Sequence, residues 1–242
     1  MAGIGTLMNV AGIIAGGLFG MIFGKKMTKR YQDTLMMANG VCVLFIGIAG
    51  TLQKMITVGE NGELGSTGTM MMIGSFAVGS LIGEWMDMER RMEQFGEWLK
   101  VKTGSEGDAS FVEGFVTASL TVCIGAMAVV GAIQDGIAGD YSVLAAKAVL
   151  DLIIVMIMTA SMGKGCIFSA IPVGLFQWAV TFLARLIETL MTEQALDNLS
   201  LTGSIMIFCV GLNLVWGKKV KVANMLPTLV MAVIWAFLPI SA

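Results

Sequence analysis

Apolar residues in this chain neither alternate with polar ones nor recur on a single helical face. They run together in long blocks, separated by short glycine-rich or charged breaks. A block of about 18 or more apolar residues is long enough, at about 1.5 Å per helical residue, to cross the roughly 30 Å hydrocarbon core of a bilayer. Eight blocks stand out, at approximately 3–24, 34–53, 68–87, 111–133, 142–162, 166–187, 200–217 and 223–241. A membrane barrel would show short alternating segments, so helices are the elements that fit. The pattern predicts an all-α, polytopic membrane helix bundle of about eight transmembrane helices, forming one integral membrane domain over residues 1–242.

The longest polar connection, 88–110, lies within EWMDMERRMEQFGEWLKVKTGSEGD. Trp85, Met92, Phe95 and Trp98 recur there at helical spacing among charges. This predicts that the third span continues into an amphipathic cytoplasmic segment, with Trp98 at the headgroups. GENGELGSTGT reads as a flexible loop on the opposite side.

Charge sets the orientation. Lys25, Lys26, Lys29 and Arg30 follow the first span; Arg90, Arg91, Lys100 and Lys102 follow the third; Lys164 follows the fifth; Lys218, Lys219 and Lys221 follow the seventh. The other side has only Lys54, Lys147 and Arg185 near it. By the positive-inside rule the basic side is cytoplasmic, which puts both termini outside. Composition agrees with a membrane protein: 56% of residues are hydrophobic, 13% are charged, and the mean hydropathy is +0.83. No basic region precedes the first apolar block, so that block reads as a retained helix and not a cleaved signal.

Candidate chemistry narrows quickly. There is no histidine, which removes His-based proton transfer and His metal ligation. Cys42, Cys123, Cys166 and Cys209 have no CxxC spacing and read as buried thiols. No metal site and no cofactor is expected. The 21 methionines are scattered and read as packing residues.

Two stripes of small residues predict close helix–helix contacts: Gly12, Gly16, Gly20 and Gly24 in the first span, and Ser75, Gly79 and Gly83 in the third. Whether these contacts are internal or between subunits stays open, and a homo-oligomer is expected.

Polar groups inside the spans are the candidate site residues, because a charge at the centre of a bilayer costs on the order of 2.5–3.5 kcal/mol on insertion scales. Asp151 lies roughly 13 Å deep, counted at the helical rise. Lys147, one turn away, shares its helix face. Two readings stay open: a snorkelling Lys that clamps an Asp, or a carboxylate in a water-filled cavity that binds a cation, a proton or a substrate amine. Glu84, Gln177, Asn9, Asn213 and Asn39 are supporting candidates. Glu84-Trp85 and Gln177-Trp178 sit three spans apart, as do Asn39 and Asp151. That spacing is compatible with a 3+3 inverted repeat whose binding groups face each other. Pro172 is expected to kink the sixth span; Pro227 and Pro239 fall near the ends of the eighth.

Several stretches carry a family resemblance: GTLMNVAGIIAGGLFG, GEWMDMERRMEQFGEWLK, FVEGFVTASLTVCIGAMAVVGAIQDGIAGD, AKAVLD, FSAIPVGLFQ, GLNLV and KVANMLP. Across essentially the whole chain it resembles the bacterial inner-membrane proteins of the YqgA/YdfK type, domain of unknown function 554. The resemblance implies a multi-pass protein of the bacterial inner membrane and carries no catalytic residues.

The leading functional expectation is a secondary transporter or channel for a small polar or cationic solute, centred on Asp151. The alternative is a self-associating membrane scaffold. An intramembrane enzyme ranks last, because no GxSxG, HExxH or paired intramembrane Asp motif is present, and no GxxxxGK[ST] loop points to ATP use. The expected partners are the lipid bilayer, the solute or cation and further copies of the chain; nucleic acid is not expected.

Overall fold

A computed structural model of the chain describes residues 3–24, 26–59, 62–123, 126–188 and 190–238. Its helices are α1 (Ile4–Gly24), α2 (Lys29–Met55), α3 (Thr69–Met86), α4 (Met88–Lys102), α5 (Phe111–Cys123), α6 (Ala126–Ile137), α7 (Ser142–Met162), α8 (Ala170–Phe182), α9 (Ala184–Glu188), α10 (Glu193–Trp216) and α11 (Pro227–Trp235). Short 3-10 segments, Lys164–Ser169 and Val222–Met225, lead into α8 and α11. Lys25, Pro239, the side chain of Arg185 and the last residues of the eighth expected span lie outside the described residues.

The architecture is a membrane helix bundle. By length and composition, five helices among the described residues can cross a bilayer: α1, α2, α7, the continuous segment Lys164–Phe182, and α10. A sixth crossing is counted if α5 and α6, bent by 62°, form one span. The expected third and eighth spans correspond to α3 and to Val222–Trp235. The latter is a shorter apolar helix and α3 is not among the five, so the count of eight is not reached on these criteria.

Backbone proximity organises the bundle. Gly12, Gly16, Gly20 and Gly24 lie against the backbone of Ala148, Leu152, Met156 and Ala160 in turn. A Cβ on Gly12 would stand 2.7 Å from the Ala148 carbonyl oxygen, and one on Gly24 would stand 2.9 Å from that of Ala160. Helices whose backbones touch in this way gain dispersion contacts that larger side chains would prevent. The two partners advance in step, so α1 and α7 run parallel.

The second stripe is used in the same way. Its Gly79 and Gly83 face Thr228 and Asn224, its Ser75 is fully buried, and Gly74, outside the stripe, faces Trp235, which makes α3 and α11 antiparallel. Gly40, Gly47 and Gly50 of α2 face Leu214, Phe208 and Ser204 of α10, another antiparallel pair. These directions are the ones that strict alternation of eight crossings requires for spans 1 and 5, 3 and 8, and 2 and 7. Both stripes are therefore internal contacts.

Three local expectations are corrected. The third span does not run on into the cytoplasmic segment. Asp87 adopts a left-handed conformation (φ 48°), the sole described non-glycine residue with positive φ, and α4 begins afresh after it. The GENGELGSTGT stretch contributes to a hairpin in which β1 (Ile56–Val58) pairs antiparallel with β2 (Leu64–Ser66). Pro172 kinks nothing, because it falls in the first turn of α8, where its missing N–H costs no helical bond. The inverted repeat finds no support in the main contacts: α3 packs on α11, while Gln177 lies on α8, which packs on α1 and α6.

Replacing Gly16 by Leu should abolish the folded state, since its Cβ would collide with the Leu152 carbonyl. Gly12→Ala should cost about 1–3 kcal/mol through overpacking. Thermal unfolding of the detergent-solubilised protein measures both; a Gly16→Leu protein that melts like wild type would refute the packing assignment.

Candidate functional site

Lys147 and Asp151 lie one turn apart on α7, and the helix itself brings them together: Nζ and Oδ2 are 2.5 Å apart. Both are buried, at 7% and 3% exposure, so neither head reaches water. The snorkelling expected of Lys147 is not what occurs. Its ammonium turns inward and donates a second hydrogen bond, at 2.8 Å, to the carbonyl of Val122. Val122 is the penultimate residue of α5. One cation thus pairs with Asp151 and ties α7 to the backbone of α5. Asn9 of α1 is the other polar side chain beside the carboxylate, but its amide meets no hydrogen-bond geometry.

A second buried carboxylate was not singled out by the sequence. Asp135 of α6 is wholly buried, and its Oδ2 accepts the N–H groups of Gly3 and Gly5 at 3.1 and 3.0 Å. It caps the N-terminus of α1, where free N–H groups and the positive dipole end favour an anion. It stands two residues past the expected end of the fourth span in the glycine-containing run IQDGIAGD, so it reads as a turn residue. Only the fold carries α1 to it.

The other expected site residues divide. Gln177 is fully buried on α8, with both amide atoms unpartnered, and Asn39 of α2 is buried with an unpartnered Nδ2. Glu84 is not in the interior. Its carboxylate accepts from Lys221 at 2.7 Å and from Asn224 at 2.6 Å, tying the end of α3 to the loop before α11. Glu89 reinforces this junction by accepting from the Ala223 N–H and pairing with Lys218. The hydrogen bond that Lys221 donates to Glu84 holds the ammonium above its ordinary value of 10.5. That contribution is complete below that pH and is lost only as the pH climbs past the raised value. Asn213 is also structural: it accepts from the Lys219 and Val220 N–H groups and donates to the Val220 carbonyl, closing the turn after α10.

Two cavities open toward the connections with the basic residues. The larger, about 920 Å³, lies between α2, α4, α5 and α10. Five acidic residues line it, Asp33, Glu89, Glu93, Glu97 and Glu113, against Arg90 and Lys218. Its apolar floor includes Val116 and Leu120, so it ends within two residues of Val122. The smaller, about 330 Å³, lies between Gly24, Thr159 and Lys164. Neither is lined by Lys147 or Asp151, so the wet recess expected beside Asp151 is replaced by a closed pair. No group of three or more His, Cys, Asp or Glu suited to a metal occurs among the described residues, and the four cysteines are unpaired.

Comparison with known proteins adds family and class. A family model described as a protein of unknown function (DUF554) matches residues 4–237. The chain is similar to the uncharacterised membrane protein YdfK of Bacillus subtilis, 28% identical over 93% of this chain and 92% of that protein. It is also similar to the uncharacterised protein YqgA of Escherichia coli, 26% identical over 99% and 96% respectively. No solved structure matches.

Lys147→Met should destabilise the protein by about 3–5 kcal/mol, because Asp151 is left buried without its counter-charge. The double variant Lys147→Met/Asp151→Leu should recover much of that loss, since it removes both charges. Unfolding in denaturant gives the cycle; a fully additive double variant would show that the two residues do not act as a pair.

Proposed function

The chain belongs to the DUF554 family of membrane proteins, and from that premise we propose that it is a secondary transporter or channel for a small cationic solute. The observation that carries this reading is the Lys147–Asp151 pair, buried inside the bundle and bonded to the Val122 carbonyl beside the 62° bend from α5 to α6. Transporters place helix interruptions and ionisable groups together near the bilayer centre, because exposed helix ends coordinate charge there and can rearrange. The large cavity supplies an approach. Its acidic excess raises the local concentration of cations and repels anions, and it stops at Leu120, just short of Val122.

In the conformation seen, the pair is shut off from that cavity. Opening requires Lys147 to leave Val122, which frees the Asp151 carboxylate to take a cationic group in its place. We place the protein in the bacterial inner membrane with the acidic cavity facing the cytoplasm and both termini outside, following the basic connections. The glycine stripe of α1 is taken up by α7, so assembly of a scaffold through that stripe lacks a free surface.

Proteoliposomes test the reading with radiolabelled methylammonium and guanidinium as probes. The wild-type protein should take up at least one of them, and Asp151→Asn should abolish uptake in protein that still purifies and reconstitutes as folded, though with the lower melting temperature expected when Lys147 loses its counter-charge. Undiminished uptake by Asp151→Asn, or no uptake of either probe by wild type, would reject the proposal.

A further inference from the structure

Helix α4 sorts its side chains by charge. Its three glutamates, Glu89, Glu93 and Glu97, all line the acidic cavity, together with Arg90. Leu99 and Met92 pack into the core, and Gly96 lies against Phe115 and Val112 of α5. A third face remains. Arg91, Phe95, Trp98 and Lys102 follow one another at intervals of four, three and four residues, which puts them on one stripe of the helix. All four are exposed, and no carboxylate of α4 shares the stripe. Neither Arg91 nor Lys102 forms an ion pair among the described residues.

The two rings of the stripe form a fixed platform. Phe95 and Trp98 stack with centroids 5.7 Å apart and planes 14° apart. Phe95 also meets the buried Phe115 edge-on at 5.8 Å, which anchors the stack to the bundle. Lys102 Nζ stands 6.0 Å from the Trp98 ring centroid, at the outer range of a cation–π contact, so the ammonium is held at one end of the stack. Arg91 lies one turn before Phe95, at the other end. Phe115 is four residues into α5, about 6 Å from its start at the helical rise. The platform therefore stands level with the start of α5, at the end of the bundle with the basic connections.

This combination selects a ligand. Indole rings favour the headgroup layer of a bilayer, where an apolar body and a polar edge are both accommodated. Guanidinium and ammonium donors match phosphate oxygens. A zwitterionic headgroup brings its own ammonium against Arg91 and Lys102, whereas an acidic one presents phosphate without it. We propose that the Arg91–Phe95–Trp98–Lys102 face of α4 binds anionic phospholipid, with the phosphate at the two cations and the glycerol region against the ring stack. The glutamates of α4 stand at the cavity, so they do not oppose an anion on this face. Because α4 also forms one wall of that cavity, the bound lipid holds the wall in place. The inference goes beyond the transport reading and holds whether or not a solute is moved.

Trp98 reports on the contact. The full-length protein is reconstituted in phosphatidylcholine vesicles containing increasing fractions of brominated phosphatidylglycerol or brominated phosphatidylcholine. The quenching that disappears in Trp98→Phe is the share of Trp98. Brominated phosphatidylglycerol should quench that share at a much lower fraction than brominated phosphatidylcholine. Arg91→Gln and Lys102→Gln should each reduce this preference about fivefold, and the double variant should remove it. Both residues are exposed and without ion pairs, so these variants keep the fold. Lys29→Gln/Arg30→Gln removes the same charge from the start of α2 and should leave the preference intact. Inorganic phosphate at matched ionic strength should not relieve the quenching. Equal quenching by the two lipids overturns the site. An equal loss of preference in the α2 variant would reduce it to general surface attraction, and relief by inorganic phosphate would make it a site for a soluble anion; either result rejects the lipid assignment.

Discussion

The backbone contact between α1 and α7 is the constraint on which the rest of this structure depends. Four glycines spaced one turn apart let the two helices approach until carbonyls of α7 fill the space that side chains would occupy. In a bilayer, apolar side chains gain nothing by leaving lipid for each other, so contact at this range has to be made by small residues. The parallel register that results sets Asn9 beside Asp151 and delivers the start of α1 to Asp135. Shifting α1 by one turn would separate all three.

Around this axis, charge is placed according to what each depth permits. At the end of the bundle with the basic connections, Glu84 meets Lys221 and Glu93 meets Lys218 in the open, while Lys218 also reaches the buried Glu89. Such exposed pairs contribute little individually, but with Asn224 and Asn213 they fix the geometry of two connections. Inside, pairing is obligatory. Lys147 serves Asp151 and the backbone of α5 with one ammonium, and Asp135 serves the N-terminus of α1, where unsatisfied terminal backbone groups and the dipole they create favour an anion.

The 62° bend between α5 and α6 is where structure and proposed function meet. Backbone carbonyls inside a membrane must find donors, and here Lys147 donates to that of Val122. The acidic cavity is lined by Leu120 of the same helix, and the contact itself lies outside its lining.

The sequence by itself determined the class of protein and its local pairs. Long apolar blocks mark helices in lipid because length and composition are properties of the segment alone, and Lys147–Asp151 was legible because four residues of helix bring two side chains to one face. The small-residue stripes announced close contacts, though not whose. The tertiary structure decided what no local pattern carries: that the stripe of α1 faces α7, that Lys147 turns to Val122 across 25 residues of chain, and that Asp135 caps a helix starting 130 residues earlier. It also moved Glu84 and Asn213 out of the site by supplying partners from the connections before α11. These depend on which helices become neighbours, a choice set by the packing of the whole bundle, to which each segment contributes only a part.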